Sequence, residues 1–78
     1  MLFYMPISEN QLDGFMSNGI PSGATLYEDI NTAREHGDAI LNIDARRIDE
    51  GNIIRNGSGT YQYSLNIPSS MIIGYQRN

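Results

Sequence analysis

The chain must fold without covalent or metal cross-links, because its 78 residues include no cysteine and a single histidine. This composition excludes disulfides, thiolate metal sites and a zinc site built from histidine alone. A chain of this length buries only about 60% of the surface that it exposes when unfolded, so its stability margin is small. Self-association is a usual remaining source of support. The sequence therefore predicts a single domain over residues 1–78 that forms a homo-oligomer.

The charge balance argues against nucleic acid as a partner. Nine acidic residues stand against five arginines and no lysine, which gives a formal net charge of −4, whereas binding to a phosphate backbone needs clustered cations. No apolar run reaches the roughly 18 residues of a membrane span. Residues 1–7 lack the basic flank of a signal peptide. We therefore expect a cytoplasmic protein with no nucleic-acid partner and no membrane partner.

Local patterns predict two helices among six strands. Ser8-Glu9-Asn10-Gln11 matches a capping box with Ile7 and Leu12 at the staple positions, so a helix is expected to follow and to end at Asn18-Gly19. Asn56-Gly57 is a signal for a tight hairpin turn. The expected strands span 2–7, 24–27, 39–44, 52–55, 60–65 and 71–75, and the second helix spans about 28–36.

This order of elements predicts an α+β fold, in which two helices accompany a small, mostly antiparallel sheet. The segment Ala39–Asp44 carries Ile or Leu at three of its six positions, with Ala39 beside them, which indicates a strand covered on both faces. In the strands expected after Asp44, Arg55 is the only charged residue, and Arg77 lies just beyond the last strand. Because monomeric proteins usually charge or cover their sheet edges, this scarcity also favours a homo-oligomer.

Several phrases of the sequence occur in an order that resembles a known family. They are Asn18-Gly19-Ile20-Pro21, the segment 26–37 that ends in Gly, the strand with an Asp-Ala end at Ile40–Ala45, and Ile67-Pro68-Ser69-Ser70-Met71. Together they resemble the catalytic lobe of the ADP-ribosyltransferase superfamily, most of all the NAD-dependent RNA 2′-phosphotransferases. The resemblance covers nearly the whole chain and implies a minimal lobe of the ADP-ribosyltransferase-like fold.

The positions that carry the chemistry of that family differ here. A His or Arg of the family's first strand has no counterpart in Tyr4-Met5-Pro6-Ile7, and Tyr27 stands in place of a small hydroxyl residue. The return strand of the hairpin, 60–64, has no carboxylate, although many relatives use one there. Cleavage of NAD requires that its pyrophosphate is held and that the developing oxocarbenium charge is stabilised. We therefore expect no catalytic residues, no cofactor and no metal site.

The tyrosines are the candidate ligand-binding residues. Tyr61 and Tyr63 point to one face of an alternating strand, where they either pack as core or edge aromatics or stack on a nucleobase. If the geometry of the resembled family applies, Tyr4 and Tyr27 line the same cleft. The expected ligand-binding set is Tyr4, Met5, Tyr27, Arg55, Tyr61 and Tyr63.

The other polar candidates have simpler interpretations. His36 is interpreted as a histidine at a helix end that complements the helix dipole, rather than as a general base. Arg46-Arg47 is interpreted as a surface loop neutralised by Asp44, Asp49 and Glu50, rather than as a phosphate clamp.

Because the chain resembles this lobe but lacks its catalytic groups, we expect a non-catalytic protein that binds a nucleotide or an ADP-ribose-like small molecule. In character the chain is similar to phage-encoded inhibitors that sequester the nucleotide signals of bacterial defence, which would place it in the cytoplasm of the host cell. One alternative is a minimal ADP-ribosyltransferase or toxin that acts on NAD through Arg34, Arg55 or Glu35. Another is an inhibitor that binds a host protein through an exposed sheet edge.

Overall fold

The first strand lies at the centre of the sheet, paired on both sides. The computed structural model describes residues 2–57 and 59–77, and in it β1 (Leu2–Ile7) pairs with β2 (Ala24–Tyr27) and with β3 (Ala39–Asp44). The remaining strands are β4 (Ile53–Gly57), β5 (Thr60–Tyr63) and β6 (Ile72–Arg77). They extend the sheet to the order β4-β5-β2-β1-β3-β6. Every described pairing is antiparallel, so the predicted α+β class is confirmed and the sheet is more uniform than expected.

Two helices cover opposite faces of this sheet. Helix α1 (Leu12–Asn18) lies on the face that carries Phe3 and Leu41, where its Leu12 and Phe15 pack against the main hydrophobic core. We call this the core face. Helix α2 (Ile30–Arg34) lies on the opposite face, which we call the helix face and which carries Tyr4, Pro6, Tyr27, Ile40 and Asn42. Ala33 of α2 and Ile40 of β3 are both fully buried, as expected for two layers in contact.

The strand β3 is covered on both faces, as its continuous apolar pattern predicts. Leu41 and Ile43 belong to the core on the core face, whereas Ile40 is buried on the helix face. The observed bounds of β3 are those predicted from the sequence. A central strand with apolar residues on both sides therefore joins the two layers of the molecule.

The ends of α1 follow the local signals. The Gln11 side chain accepts a hydrogen bond from the Ser8 backbone N–H at 3.0 Å, and the Gln11 backbone N–H donates to the Ser8 carbonyl at 2.9 Å. A 3₁₀ turn over Glu9–Gln11 then leads into the helix. At the other end the Gly19 backbone N–H donates to the Phe15 carbonyl with Gly19 at φ +80°. The predicted end at Asn18-Gly19 is confirmed, whereas the capping box at Ser8 opens the 3₁₀ turn and the α-helix itself begins later, at Leu12.

Helix α2 is shorter than the predicted segment of about 28–36. Its N-cap is Asp29, whose side chain accepts from the Asn31 backbone N–H, while the Glu28 N–H is engaged by the Gly59 carbonyl of the neighbouring hairpin. At the far end, the N–H groups of Glu35 and His36 bond three residues back, which tightens the last turn. Long-range pairing at one end and a tight turn at the other thus shorten the helix. Among the described residues, no helix is long and apolar enough to cross a membrane.

The segment between β5 and β6 closes the core face. Ile20 and Ile67 exchange two backbone hydrogen bonds of 2.8 Å, and both side chains are buried in the core. Gly19 permits this approach, because a Cβ atom built on it would lie 2.5 Å from the Ile67 carbonyl oxygen. The end of α1 and the 64–71 segment are therefore held together by backbone contact.

We expect Gly19→Ala to lower the free energy of unfolding by about 1–3 kcal/mol, because its backbone conformation is largely restricted to glycine and the new methyl group meets the Ile67 carbonyl. Urea denaturation followed by circular dichroism measures this loss. Gly14→Ala, inside α1, is the matched control. A Cβ there meets nothing within 4 Å, so that variant should gain about 0.5–1 kcal/mol from helix propensity. Equal stability of Gly19→Ala and the parent chain would contradict this account.

Candidate functional site

The six predicted ligand-binding residues do not lie on one surface. In the strand register Tyr4 pairs with Tyr27, which places both on the helix face. Leu26 pairs with Tyr61 and Ala24 with Tyr63, so these two tyrosines lie on the core face. Met5 and Arg55 share the core face through their partners Leu41 and Tyr61. The expectation of one cleft lined by all four tyrosines is therefore wrong, because neighbouring residues of a strand point to opposite faces.

Tyr61 is the centre of a polar cluster on the core face. Its hydroxyl donates to the Glu28 carboxylate and accepts from Arg55 Nη2 at 3.2 Å, and the Arg55 guanidinium lies 5.6 Å from the Tyr61 ring centroid. The hydrogen bond to the Tyr61 hydroxyl raises the pKa of Arg55 above its ordinary value, with smaller electrostatic contributions from Tyr61 and Glu28. The Phe3 ring packs against Tyr61 with a centroid separation of 5.1 Å. The Glu28 carboxylate and the Arg55 guanidinium are thus both bonded to the Tyr61 hydroxyl, and their opposite charges balance within the cluster.

Glu28 is a member of this cluster that the sequence reasoning did not include. It follows β2 directly, and its backbone N–H donates to the Gly59 carbonyl at 3.0 Å. This bond continues the β2–β5 pairing by one residue and brings Glu28 beside Tyr61. The alternation of side chains along β2 predicts that Glu28 shares a face with Leu26. It locates Glu28 beside Tyr61 only once β2 and β5 are known to be neighbours.

Tyr63 is buried and supports the fold. It is 4% exposed and belongs to the hydrophobic core, and its hydroxyl accepts from the Asp49 backbone N–H at 3.3 Å. Asp49 in turn caps the 3₁₀ turn Glu50–Asn52, because its carboxylate accepts from the Gly51 N–H. Of the two interpretations that the sequence left open, core packing describes Tyr63.

The helix face carries a small aromatic stack. The Tyr27 and His36 rings are nearly parallel, with an interplanar angle of 19° and centroids 5.3 Å apart. His36 lies just beyond the end of α2 and is exposed. The imidazole therefore lies over a half-buried tyrosine at the surface.

Among the residues that the structure describes, Asp44 is the one acidic residue that is buried. It is 6% exposed and accepts from the Arg46 backbone N–H at 3.0 Å and from Arg46 Nε at 3.1 Å. The side-chain hydrogen bond from Arg46 lowers the pKa of Asp44, although burial opposes this shift. Arg47 instead donates to the Ser70 carbonyl at 3.3 Å. Neutralisation of Arg46 by Asp44 is therefore confirmed, whereas among the described residues Arg47 forms no ion pair with Asp49 or Glu50 and bonds a backbone carbonyl instead.

A groove lies beside the last turn of α1, away from the tyrosines. It has a volume of about 320 Å³ and is lined by Gln11, Gly14, Phe15, Asn18, Gly19 and Pro21. A second depression of about 230 Å³ adjoins it, shares Asn18, Gly19 and Pro21, and adds Ile20 and Asn66. The Asn66 amide is oriented by the Ser22 backbone N–H, which donates to Asn66 Oδ1 at 2.8 Å. An aromatic ring and three side-chain amides therefore share one concave surface.

Sequence patterns indicate only part of this groove. The segment Asn18-Gly19-Ile20-Pro21 belongs to the family resemblance, and three of its residues, Asn18, Gly19 and Pro21, line both depressions. Gln11 and Phe15 were assigned to the start and the apolar side of α1. Asn66 reaches the groove from a segment 45 or more residues further along the chain, so its contribution depended on the tertiary fold.

Comparison of the sequence with protein-family models gives no match, and neither does comparison with curated proteins. The relationship to the ADP-ribosyltransferase superfamily therefore stays a prediction. Within residues 2–57 and 59–77, no three His, Asp or Glu side chains group as a metal site.

We expect Arg46→Gln to raise the pKa of Asp44 toward its ordinary value of 3.8, because it removes the hydrogen bond that lowers that pKa most. A lowered pKa stabilises the folded protein above 3.8, and this stabilisation is lost as the pH falls through the pKa of the folded state. The stability difference between Arg46→Gln and the parent chain should therefore be largest near neutral pH and shrink below pH 3.8. An NMR titration of the Asp44 carboxyl carbon measures the change in its pKa. Urea denaturation of both proteins, near neutral pH and again below pH 3.8, measures the change in the stability difference.

Arg47→Gln is the control for this titration, since Arg47 makes the smallest of the contributions that lower the pKa of Asp44. It should leave the Asp44 midpoint close to that of the parent chain. Equal upward shifts in both variants would show that the Arg46 hydrogen bond does not hold Asp44 ionised.

Proposed function

We propose that this protein binds a nucleotide-like small molecule without catalysing its conversion, and that it holds the base of that molecule in the groove beside α1. The observation that carries the proposal is the lining of the groove, where the Phe15 ring and the Gln11 and Asn18 amides lie, with the Asn66 amide in the adjoining depression. Its volume of about 320 Å³ lies at the lower end of the range of small-molecule pockets. A nucleobase with its sugar is a ligand of that size.

The chemistry of the lining favours the base over the phosphate. Among the described residues that line the two depressions, none carries a charge. The Asn18 amide offers a donor and an acceptor to the edge of a base. The Gln11 and Asn66 amide oxygens accept backbone N–H bonds, so these two side chains offer their NH₂ groups as further donors. An aromatic ring offers a stacking surface that every base can use. In this arrangement the phosphates of the ligand extend into solvent.

The positions of the candidate catalytic residues also support a non-catalytic role. Arg34 and Glu35 belong to α2 and its C-cap, on the helix face, whereas Arg55 lies on the core face of β4. The sheet separates these groups, so they do not form one site that could hold and cleave NAD. The enzymatic alternative would need a different set of residues.

The biological setting comes from the resemblance alone. Sequestration of a nucleotide signal by a phage-encoded protein, inside the host cytoplasm, is the role that we predict. The homo-oligomer is likewise a prediction, based on the small size of the chain and on its lightly charged strands.

We expect isothermal titration calorimetry to detect binding of at least one ligand among adenosine, AMP, ADP-ribose and NAD. Asn18→Ala should weaken that binding by about threefold to tenfold, because it removes one amide hydrogen bond to the base. Incubation with NAD should release no more nicotinamide than buffer alone.

Two further variants locate the site. Gln62→Ala changes an exposed amide on the helix face of β5 and should leave the affinity unchanged. Arg55→Gln tests the Tyr61 cluster: if it weakens binding while Asn18→Ala does not, the ligand binds at that cluster and the groove assignment is wrong. Absence of heat with every ligand would remove the proposal.

A further inference from the structure

Strand β6 is an edge strand with very little protection. It pairs with β3 on one side, and it lies at the end of the described sheet. Ile73 is 55% exposed and Tyr75 is 44% exposed. The residues Ile72–Gln76 carry no charge. Edge strands of soluble monomers usually carry charges, prolines or a cover, because alternate backbone N–H and C=O groups point outward and can pair with another strand.

The opposite edge is protected in the usual ways. Strand β4 carries Arg55, which is engaged by Tyr61, and its pairing with β5 shifts between Arg55 and Gly57. Gly57 has a φ of +148°, which turns the strand at its end. An irregular edge with a charged residue at its centre is a poor template for a further strand.

Strand β6 has its own irregularity, and this limits the stretch that can pair. The register with β3 shifts between Asn42 and Ile43, so Ile73 forms a bulge. From Gly74 to Arg77 the pairing with β3 is regular. Polar contacts fix this stretch from the helix face, where the Gln76 side chain donates to Asn42 Oδ1 at 3.3 Å and accepts from Arg34 Nη2 at 3.4 Å. The edge is therefore held straight at Gly74–Arg77.

We infer that β6 pairs antiparallel with β6 of a second copy of this chain, around a two-fold axis at Tyr75. In this register Tyr75 faces Tyr75 of the other copy, and Gly74 faces Gln76. Because the two rings are exposed on the core-face side of β6, they can meet across the axis. The two sheets then join into one sheet of twelve strands, and both β6 edges are covered.

The charges of the edge favour a second copy as the occupant. A two-fold contact places each surface against itself, so it suits a surface that carries no net charge. Arg77 is the single charged residue of β6, and it forms an ion pair with Glu9 of its own chain. In the register centred on Tyr75, Arg77 faces Ile73 of the other copy rather than a second arginine. This inference extends the expected homo-oligomer and does not depend on the ligand.

Charge-reversal variants test this inference. The unmodified chain is expected to sediment as a dimer at micromolar concentrations. Tyr75→Lys and Tyr75→Glu each place like charges across the axis, so each alone should raise the dissociation constant by more than about tenfold. An equimolar mixture of the two should form a one-to-one heterodimer, which native mass spectrometry resolves. Recovery in the mixture also requires that both variants are folded.

Ile54→Lys on β4 is the matched control, because Ile54 is 54% exposed on the opposite edge strand. It should leave the dimer unchanged. Three results would each overturn the inference: a monomeric parent chain, a dimer that survives Tyr75→Lys, or a dimer that Ile54→Lys disrupts. If both variants are folded by circular dichroism and their mixture fails to associate, the register centred on Tyr75 is wrong.

Discussion

The alternation of side chains along the central strands divides the molecule into two surfaces that cannot share a ligand. Phe3 and Tyr4 are neighbours in β1, yet Phe3 packs with Tyr61 on the core face and Tyr4 pairs with Tyr27 on the helix face. Because β1 is paired on both sides, it cannot rotate to bring these residues together. Whatever the protein recognises must therefore be held from one face, or from an edge where the layers end.

The groove beside α1 lies on the core-face side of the molecule, and it depends on the backbone contact between Ile20 and Ile67. That contact brings the 64–71 segment onto the core face and places Asn66 beside Asn18 and Pro21. The same contact requires a residue without a Cβ at position 19. The stability of the fold and the shape of the groove therefore both depend on the contact between these two chain segments. A change at Gly19 is expected to affect the stability and the groove together.

Local signals were sufficient for most of the fold. The bounds of β3, the capping box at Ser8 that opens the turn before α1, and the end of α1 at Gly19 each depend on residues within a few positions, and each was predicted. The errors arose where a distant strand intervened. Helix α2 begins late because the Glu28 N–H bonds to Gly59, and the tyrosines separate because β5 pairs with β2 in a register that places Tyr61 opposite Leu26 rather than Tyr27. Strand order cannot be read from periodicity, so neither Glu28 beside Tyr61 nor Asn66 in the groove could be located in advance.

Much of the charge on the chain serves its own fold. Asp44 is engaged by Arg46, Glu9 by Arg77 and Glu28 by Tyr61 beside Arg55. Asp29 and Asp49 cap a helix and a 3₁₀ turn. A small chain without cross-links gains order from each of these contacts, since each closes a turn or joins two segments. The groups left at the groove and at β6 are amides, aromatic rings and aliphatic side chains. Recognition through such groups depends on shape, stacking and backbone hydrogen bonds rather than on ion pairs between the protein and its ligand.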